Sequence, residues 1–392
     1  MRSAYDLTSP SYDESLTLVT CGTPMGELLR RYWHPVGLVE DATQTPRQIR
    51  VLGEDLILFR DHAGRPGLLH PRCAHRGASL LYGRTEERGI RCCYHGWLFD
   101  VDGNCLEQPC EPNGGGRACA KVQQPAYPVE ELYGLIFAYL GPLDRKPVLP
   151  RYNVLEELGP GEFIEADDTS IGSGGPVIVP CNWLQHYENV MDPFHVPILH
   201  GSFSGVQFNE RLGLMPKVRF EESPRGIQST QIRDLGEGKV HRRITEAVLP
   251  TIRAVASPRA TVDGPCSLLG WVLPIDDTSF RIYSAGRVTQ AGTLRTIRSH
   301  FNGKLWQELT EAEHRDFPGD YEAQVSQGPI TLHSEEHLVS SDRGIGMLRR
   351  LYREQAKRVA EGGDPIGTAF ADAAGVVALA AGTEVVADAA HG

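Results

Sequence analysis

Long apolar runs are missing from this sequence. The most apolar candidate, the Ala-, Val- and Gly-rich tail from Ala369 to Gly392, is broken by Asp372, Glu384 and Asp388. That leaves far fewer than the ~20 residues a membrane span requires, and the tail reads as a terminal helix or a frayed end. The N-terminal MRSAYDLTSPSYDES has no apolar h-region and carries three acids, so it does not read as a secretory signal. An excess of positive charge is missing too. A formal net charge of −11 argues against a nucleic-acid partner, which would want a basic stripe, and speaks mainly for solubility. The nine cysteines are an odd set and make a poor disulfide framework, so a reducing cytoplasm is the expected compartment. No G-x-G-x-x-G adjoins a βαβ pattern, and the chain is expected to bind neither NAD nor flavin. What remains is an ordinary globular composition, 41% hydrophobic and 23% charged over 392 residues, without internal repeats and long enough for two or three domains.

The informative stretch is Pro71–Trp97, PRCAHRGASLLYGRTEERGIRCCYHGW. It holds Cys73-x-His75, sixteen further residues, then Cys92-x-x-His95. Each half puts one thiolate and one imidazole at the tip of a tight loop. Two facing loops of this kind can hold a [2Fe–2S] cluster with two Cys on one iron and two His on the other. That is Rieske ligation, in which His in place of Cys raises the potential to roughly −150 to +300 mV. A structural Cys2His2 zinc site uses the same ligand types, but it usually places a Cys pair before a His pair, whereas each half here is mixed. The spacing selects Cys92 as ligand and leaves Cys93 a packed or spectator thiol.

Thr23-Pro24 reads as an N-cap followed by proline at the first helical position, after a loose arm over residues 1–20. This helix ends before Pro35. From Val36 to Gly141 the pattern is β, with strands around Ile49–Val51 and Leu56–Phe59, a hairpin at Asp102-Gly103 and a buried strand over Tyr133–Leu140. The proline-rich Gly141–Pro150 reads as a linker. Beyond it, a helix near Trp183–Val190 precedes strands at Val218–Glu222, Ile227–Arg233, Val240–Glu246, Ser267–Leu273 and Phe280–Arg287. Helices near Leu305–Arg315 and Arg343–Glu361 close the unit. The expected fold is α+β, an all-β cluster domain followed by an antiparallel sheet with helices on one face. The domains are an N-terminal arm and helix over 1–33, the cluster domain over 34–143, a second domain over 150–362 and a tail over 363–392.

A cluster that delivers single electrons needs a recipient, and the segment Trp183–His200 supplies one. His195 and His200 are five apart, about 140° on an ideal α-helix, which is a poor chelate. Pro193 and Pro197 prevent an ideal helix, and a kinked or π-bulged turn could bring both imidazoles to one metal. Two His and one carboxylate form the facial triad of non-haem Fe(II) oxygenases, with positions left open for O2 and substrate. The carboxylate must come from elsewhere. Glu313, Asp316, Asp320 and Glu322 are candidates between which spacing does not choose.

These motifs resemble the terminal oxygenase of the Rieske non-haem iron oxygenases, in its phthalate-dioxygenase-like branch. The likeness runs from about Leu16 to Tyr352. It includes Asn189-x-x-Asp192-x-x-His195-x4-His200, Glu107-Gln108-Pro109, Asp320 through Ile330, Glu336-His337-Leu338 and Ser341-Asp342-Arg343. The resemblance implies a helix-grip catalytic domain, one Rieske cluster on Cys73, His75, Cys92 and His95, and one mononuclear Fe(II) on His195, His200 and Asp320. It implies that Asp192 bridges a cluster His of one subunit and an iron-bound His of the next in a homotrimer, where its carboxylate would fix a ligand tautomer. Asn189 is either a polar residue near the iron or a local hydrogen-bond partner. The implied partners are an NAD(P)H-dependent flavin and [2Fe–2S] reductase, or a ferredoxin, together with O2 and a small aromatic substrate, an aromatic acid above all. Hydroxylation and O-demethylation are both open, since fold does not fix the reaction. Arg211, Arg242, Arg243 and Arg253 are candidates for contacting such an acid, against the ordinary surface position of arginine. The rival reading is a Rieske electron-transfer protein without a second iron.

Overall fold

The computed structural model describes residues 9–168, 177–205, 207–258, 262–296, 304, 306–370 and 375–388. A short helix, Glu14–Thr17, opens it, capped by Asp13 accepting from the Ser15 amide. The expected loose arm is therefore packed from here on, because Leu16 and Val19 are fully buried, each contributing about 1.5–3 kcal/mol. Thr23 caps the helix Pro24–Leu29 by accepting from the Gly26 amide at 3.1 Å. Extended structure starts at Trp33, where Pro35 disfavours further helix.

Strand Trp33–Leu38 pairs antiparallel with Leu135–Tyr139, which pairs in turn with Val129–Leu132. Every residue of Leu135–Tyr139 is buried, as its unbroken apolar run implies. Two four-stranded sheets lie between these elements. One joins Arg47–Val51, Glu54–Arg60, Pro66–Leu69 and Ala126–Tyr127; the other joins Arg84–Glu86, Gly89–Arg91, Leu98–Phe99 and Cys105–Glu107. Ile57, Phe59, Leu69, Leu80, Ile90 and Phe99 form a small core that also holds Cys73 and Cys92.

The second half is built on one large antiparallel sheet. Its order is Phe163–Asp167, Ser279–Val288, Leu268–Asp276, Ile252–Ala254, Lys239–Val248, Gly226–Gly236, Lys217–Ser223. All five expected strands are in it. The register puts Arg253 opposite Gly270 and Ala247, and Trp271 opposite Tyr283, so these residues define two faces. The Trp271 face meets the first half, with Trp271 edge-on to Phe137 at 5.6 Å between ring centroids. The Arg253 face receives the helix Trp183–Asn189, whose His186 stacks on Phe280 at 5.1 Å. The Leu52 and Gly53 amides donate to the Pro274 and Ile275 carbonyls at 3.0 and 2.8 Å. One continuous core runs from Leu16 to Ala381, so the segments 34–143 and 150–362 share it.

Two expectations need correction. The tail is neither helical nor frayed over Gly382–Ala387, which is a strand paired with Lys239–Ile244. Ile252–Ala254 covers only Glu246–Val248 of that neighbour, and the open edge takes up the β-branched Thr383, Val385 and Val386. Residues 371–374 and 389–392 of the tail lie outside the described residues, as does Leu305, the first residue of the expected helix Leu305–Arg315. That helix is split into a 3-10 turn, Trp306–Glu308, and a helix, Glu311–Asp316. Thr310 and Glu313 form a capping box that restarts the chain, and the cap prevails over continuity. A further short helix, Asp320–Val325, follows. The long helix Arg343–Ala360 buries Leu348, Leu351, Tyr352 and Ala356.

Candidate metal centres

The two cysteine–histidine loops fold alike. In the first, the Cys73 amide donates to the Ala78 carbonyl at 2.9 Å and the Gly77 amide to the Cys73 carbonyl at 2.8 Å. In the second, the Cys92 amide donates to Trp97 at 2.8 Å and the Gly96 amide to Cys92 at 3.1 Å. Gly77 and Gly96 sit at φ +76° and +72°, where only glycine is unstrained. Cys73 and Cys92 are buried, while His75 is exposed and His95 half-buried, with ring centroids 4.5 Å apart. His75 stacks on Trp97 at 4.4 Å. Burial pushes the Cys73 thiol up to about 11, and the adjacent Cys92 adds to this, so thiolate here needs the compensating charge of a metal. Cys93 is exposed, so it is not a packed thiol.

The second site forms where the helix Trp183–Asn189 gives way to a π-helix over Val196–Phe203. A π-helix bonds i to i+5, so residues five apart return to one face. The expected obstacle to chelation by His195 and His200 is thereby removed. Asp320 opens the helix Asp320–Val325 and is buried. Its Oδ1 lies 3.2 Å from His200 Nε2 and 3.7 Å from His195 Nε2. Ligand atoms of all three residues lie within 4.8 Å of one another, the one such group of three or more His, Cys, Asp or Glu among the described residues.

The other three acidic candidates are engaged elsewhere or turned away. Asp316 is exposed, Glu313 binds Lys304 and Thr310, and Glu322 accepts from Trp306 Nε1 at 2.9 Å and the Gly319 amide at 2.8 Å. Burial alone would raise the Asp320 carboxyl, but His200 first, then His195 and His186, hold it well below the usual range. Asn189 Nδ2 donates to Asp320 Oδ1 at 3.3 Å and lies 3.4 Å from His195 Nε2, which puts it beside the donors. Asp192 Oδ2 lies 3.4 Å from His195 Nδ1, and its Oδ1 accepts the Phe194 amide at 3.0 Å. Against the cost of burial, this imidazole keeps the Asp192 carboxyl below its ordinary value.

Residues 32–128 match the family model of the Rieske [2Fe–2S] domain. The chain is 52% identical over 385 residues to the phenoxybenzoate dioxygenase alpha subunit of Ectopseudomonas oleovorans, covering 97% of this chain and 93% of that one. The chain belongs to the Rieske non-haem iron oxygenases. It is a terminal oxygenase subunit and carries a Rieske cluster and a mononuclear iron. The oxygenase is also 38% identical to the tert-butanol monooxygenase / tert-amyl alcohol desaturase oxygenase subunit of Aquincola tertiaricarbonis, over 85% of this chain and 74% of that one. Pseudomonas putida CBB5 NdmB has the same fold, with a TM-score of 0.63 at 20% identity, covering 85% of this chain and 93% of that one.

The oxygenase holds its loops with residues that carry no motif. Gln124, fully buried, accepts from the Ala74 amide at 2.7 Å and donates to the His70 and Arg72 carbonyls at 2.8 and 3.0 Å. Arg91 donates to the Gly96 carbonyl at 2.6 Å and to Glu86 and Glu107. At the second site, Gln207 Oε1 lies 2.7 Å from His200 Nδ1. An amide oxygen can only accept, so Nδ1 carries the proton and Nε2 is left free for metal. His186 is pushed down to about 3 by burial and then by Arg253. It joins Arg253 Nη1 at 2.5 Å to Gln324 Oε1 at 2.9 Å, and Gln324 shares a helix with Asp320. Of these, Glu107 and Gln324 fall inside the quoted motifs and Arg253 is among the candidates for contacting an acid, whereas Gln124, Arg91 and Gln207 carry no signal of their own.

Proposed function

We propose that Cys73, His75, Cys92 and His95 hold the Rieske cluster, that His195, His200 and Asp320 hold the mononuclear iron, and that the substrate is an aromatic acid. The observation that carries this is the convergence of one carboxylate and two imidazoles on single-ion distance, in a facial-triad donor set. When bound, the cluster supplies single electrons and the iron supplies O2 activation. Gln207 keeps His200 in one tautomer, and Asn189 stays within hydrogen-bond reach of the Asp320 oxygen. Asp192 sits on the far nitrogen of His195, where it can lead to the cluster His of a neighbouring subunit in a homotrimer. An NAD(P)H-dependent flavin and [2Fe–2S] reductase, or a ferredoxin, feeds the cluster. The aromatic-acid assignment follows the relative acting on phenoxybenzoate at 52% identity. A Rieske electron carrier with no second iron would leave the triad without a purpose.

The test has two parts. Purified enzyme should contain three irons per chain, and Asp320→Ala should lose one iron and all turnover with the Rieske spectrum intact. Asp316→Ala should keep both metals, and the reverse pattern would move the triad. With phenoxybenzoate and 18O2, two labelled atoms in the product indicate dioxygenation, whereas one indicates monooxygenation.

A further inference from the structure

Two buried thiols beside the second cysteine–histidine loop have no part in either metal centre. Cys105 opens the strand Cys105–Glu107, and Cys119 ends the short helix Gly116–Cys119 that packs against it. Each is 7% exposed, and both belong to the small core that holds Cys73 and Cys92. They meet around Gln108. Its Nε2 lies 3.6 Å from Cys105 Sγ. Cys119 Sγ lies 3.5 Å from the Gly114 carbonyl, the same oxygen that accepts the Gln108 amide at 2.8 Å. A methyl group at Gly115 would come within 2.7 Å of Cys119 Sγ and 2.8 Å of Gln108 Cβ, so the knot closes only over glycine. The thiols also act on each other. Burial pushes Cys105 up to about 11, against the Gln108 amide, and the neighbouring Cys119 adds to the rise.

Between the two cysteines the chain forms a strap on the second loop. Glu107 holds Arg91, which donates to the Gly96 carbonyl. A methyl group at Gly96 would lie 3.1 Å from Pro109 Cγ, and Cys110 Sγ lies 3.9 Å from the His95 carbonyl. The strap then turns through Asn113, Gly114, Gly115 and Gly116, at φ +54°, +68°, +93° and +42°, a run that its three glycines leave easy to bend.

We propose that Cys105 and Cys119 are a dithiol that hydrogen peroxide oxidises to a disulfide, and that this bond locks the strap on the loop. The two thiols give up two electrons and two protons, the peroxide O–O bond breaks, one S–S bond forms and two waters leave. Peroxide is what O2 becomes on taking two electrons without oxygenating a substrate, so an oxygenase meets this oxidant at its source. A reversible bond of this kind is compatible with a reducing compartment, where disulfides are transient and redox-sensing. Scarce thiolate makes the reaction slow at neutral pH and faster as pH rises. The lock, though not the bond, rests on the cluster assignment above.

The test is peptide mapping of the holoenzyme after anaerobic exposure to a few equivalents of hydrogen peroxide, with free thiols alkylated on unfolding. Cleavage after Glu107, Glu111 and Arg117 puts Cys105, Cys110 and Cys119 on separate peptides. A linked Cys105–Cys119 pair should appear, form faster at higher pH, and vanish with dithiothreitol. Loss of Rieske absorbance to an iron chelator should be about 10-fold slower in the linked enzyme than in the same sample reduced again. That is a small share of what closing a loop of ~15 residues can contribute. Cys105→Ala and Cys119→Ala should remove both the link and the difference in rate, and Cys110→Ser should keep both. Should an alanine variant fail to fold, the mapping of the wild-type enzyme still decides. Recovery of Cys105 and Cys119 as free thiols, or linkage of either to another cysteine, overturns the site. A Cys105–Cys119 link with an unchanged chelation rate overturns the lock. Purified enzyme without a Rieske spectrum sinks the cluster assignment instead, and the mapping then judges the bond alone.

Discussion

At the scale of single residues, the proposed iron site would depend on side chains that never touch metal. His200, a proposed iron ligand, turns Nε2 towards Asp320 and holds Nδ1 against Gln207 Oε1 at 2.7 Å. Partners of this kind fix the tautomer and raise ligand basicity. Gln207→Leu keeps much of the volume and removes the acceptor, so iron affinity or turnover should fall by about 10–100-fold. The Rieske absorbance should not change. Iron titration of the apo-enzyme, followed by turnover at saturating iron, separates lost affinity from lost orientation. A variant with wild-type iron affinity and rate would remove Gln207 from the account.

At the scale of elements, the proposed iron ligands sit on short pieces that need an outside brace. The helix Trp183–Asn189 has only seven residues, too few to be stable alone. Its Glu188 is gripped by Arg349 of the long helix Arg343–Ala360, Nε to Oε1 at 2.5 Å and Nη2 to Oε2 at 2.7 Å. Arg349 also holds Glu336 at 2.6 and 2.9 Å. Burial alone would raise the Glu188 carboxyl, and Arg349 opposes this. Arg349→Met leaves two acids facing each other without their cation, which should cost about 3–5 kcal/mol. Thermal denaturation should register that loss, and iron occupancy of the catalytic site should drop while the cluster spectrum persists. An unchanged melting temperature would mean that packing alone seats the helix.

At the scale of the whole molecule, the loops proposed to hold the cluster pack on a small core of their own, and the proposed triad belongs to the second half of the chain. Asp192 is the residue through which one subunit would reach the next. Asp192→Asn keeps the size and loses the charge, so both metals should load while turnover falls by at least about 100-fold, the upper range for a ligand-orienting partner. Co-expressing Cys92→Ser with Asp320→Ala should restore partial activity, because an intact cluster can then face an intact iron across a subunit boundary. Mixed assemblies with verified metal content and no turnover would mean that each chain passes electrons internally.

How far the sequence alone reaches follows from the range of each interaction. Cys73-x-His75 and Cys92-x-x-His95 are local, and a tight turn with glycine at its tip leaves their side chains little choice. The Thr23-Pro24 cap, the Asp102-Gly103 hairpin and the alternating strands of the large sheet are legible for the same reason. The spacing of His195 and His200 was ambiguous by itself. An α-helix separates them and a π-helix joins them, and packing of Val196–Phe203 chose the second. Asp320 lies 120 residues beyond His200, and spacing does not distinguish it from Asp316; the family resemblance implied the choice, and in the fold the two differ in burial rather than in chemistry. Arg242 and Arg243 are equivalent in composition, yet the strand pleat sends one to Glu384 and the other into the interior. The tail became a strand because a partner edge stood open, a condition that no local window of sequence contains. Local bonding was written in the residue order; which distant side chains meet was decided by the sheet that brings them to one face.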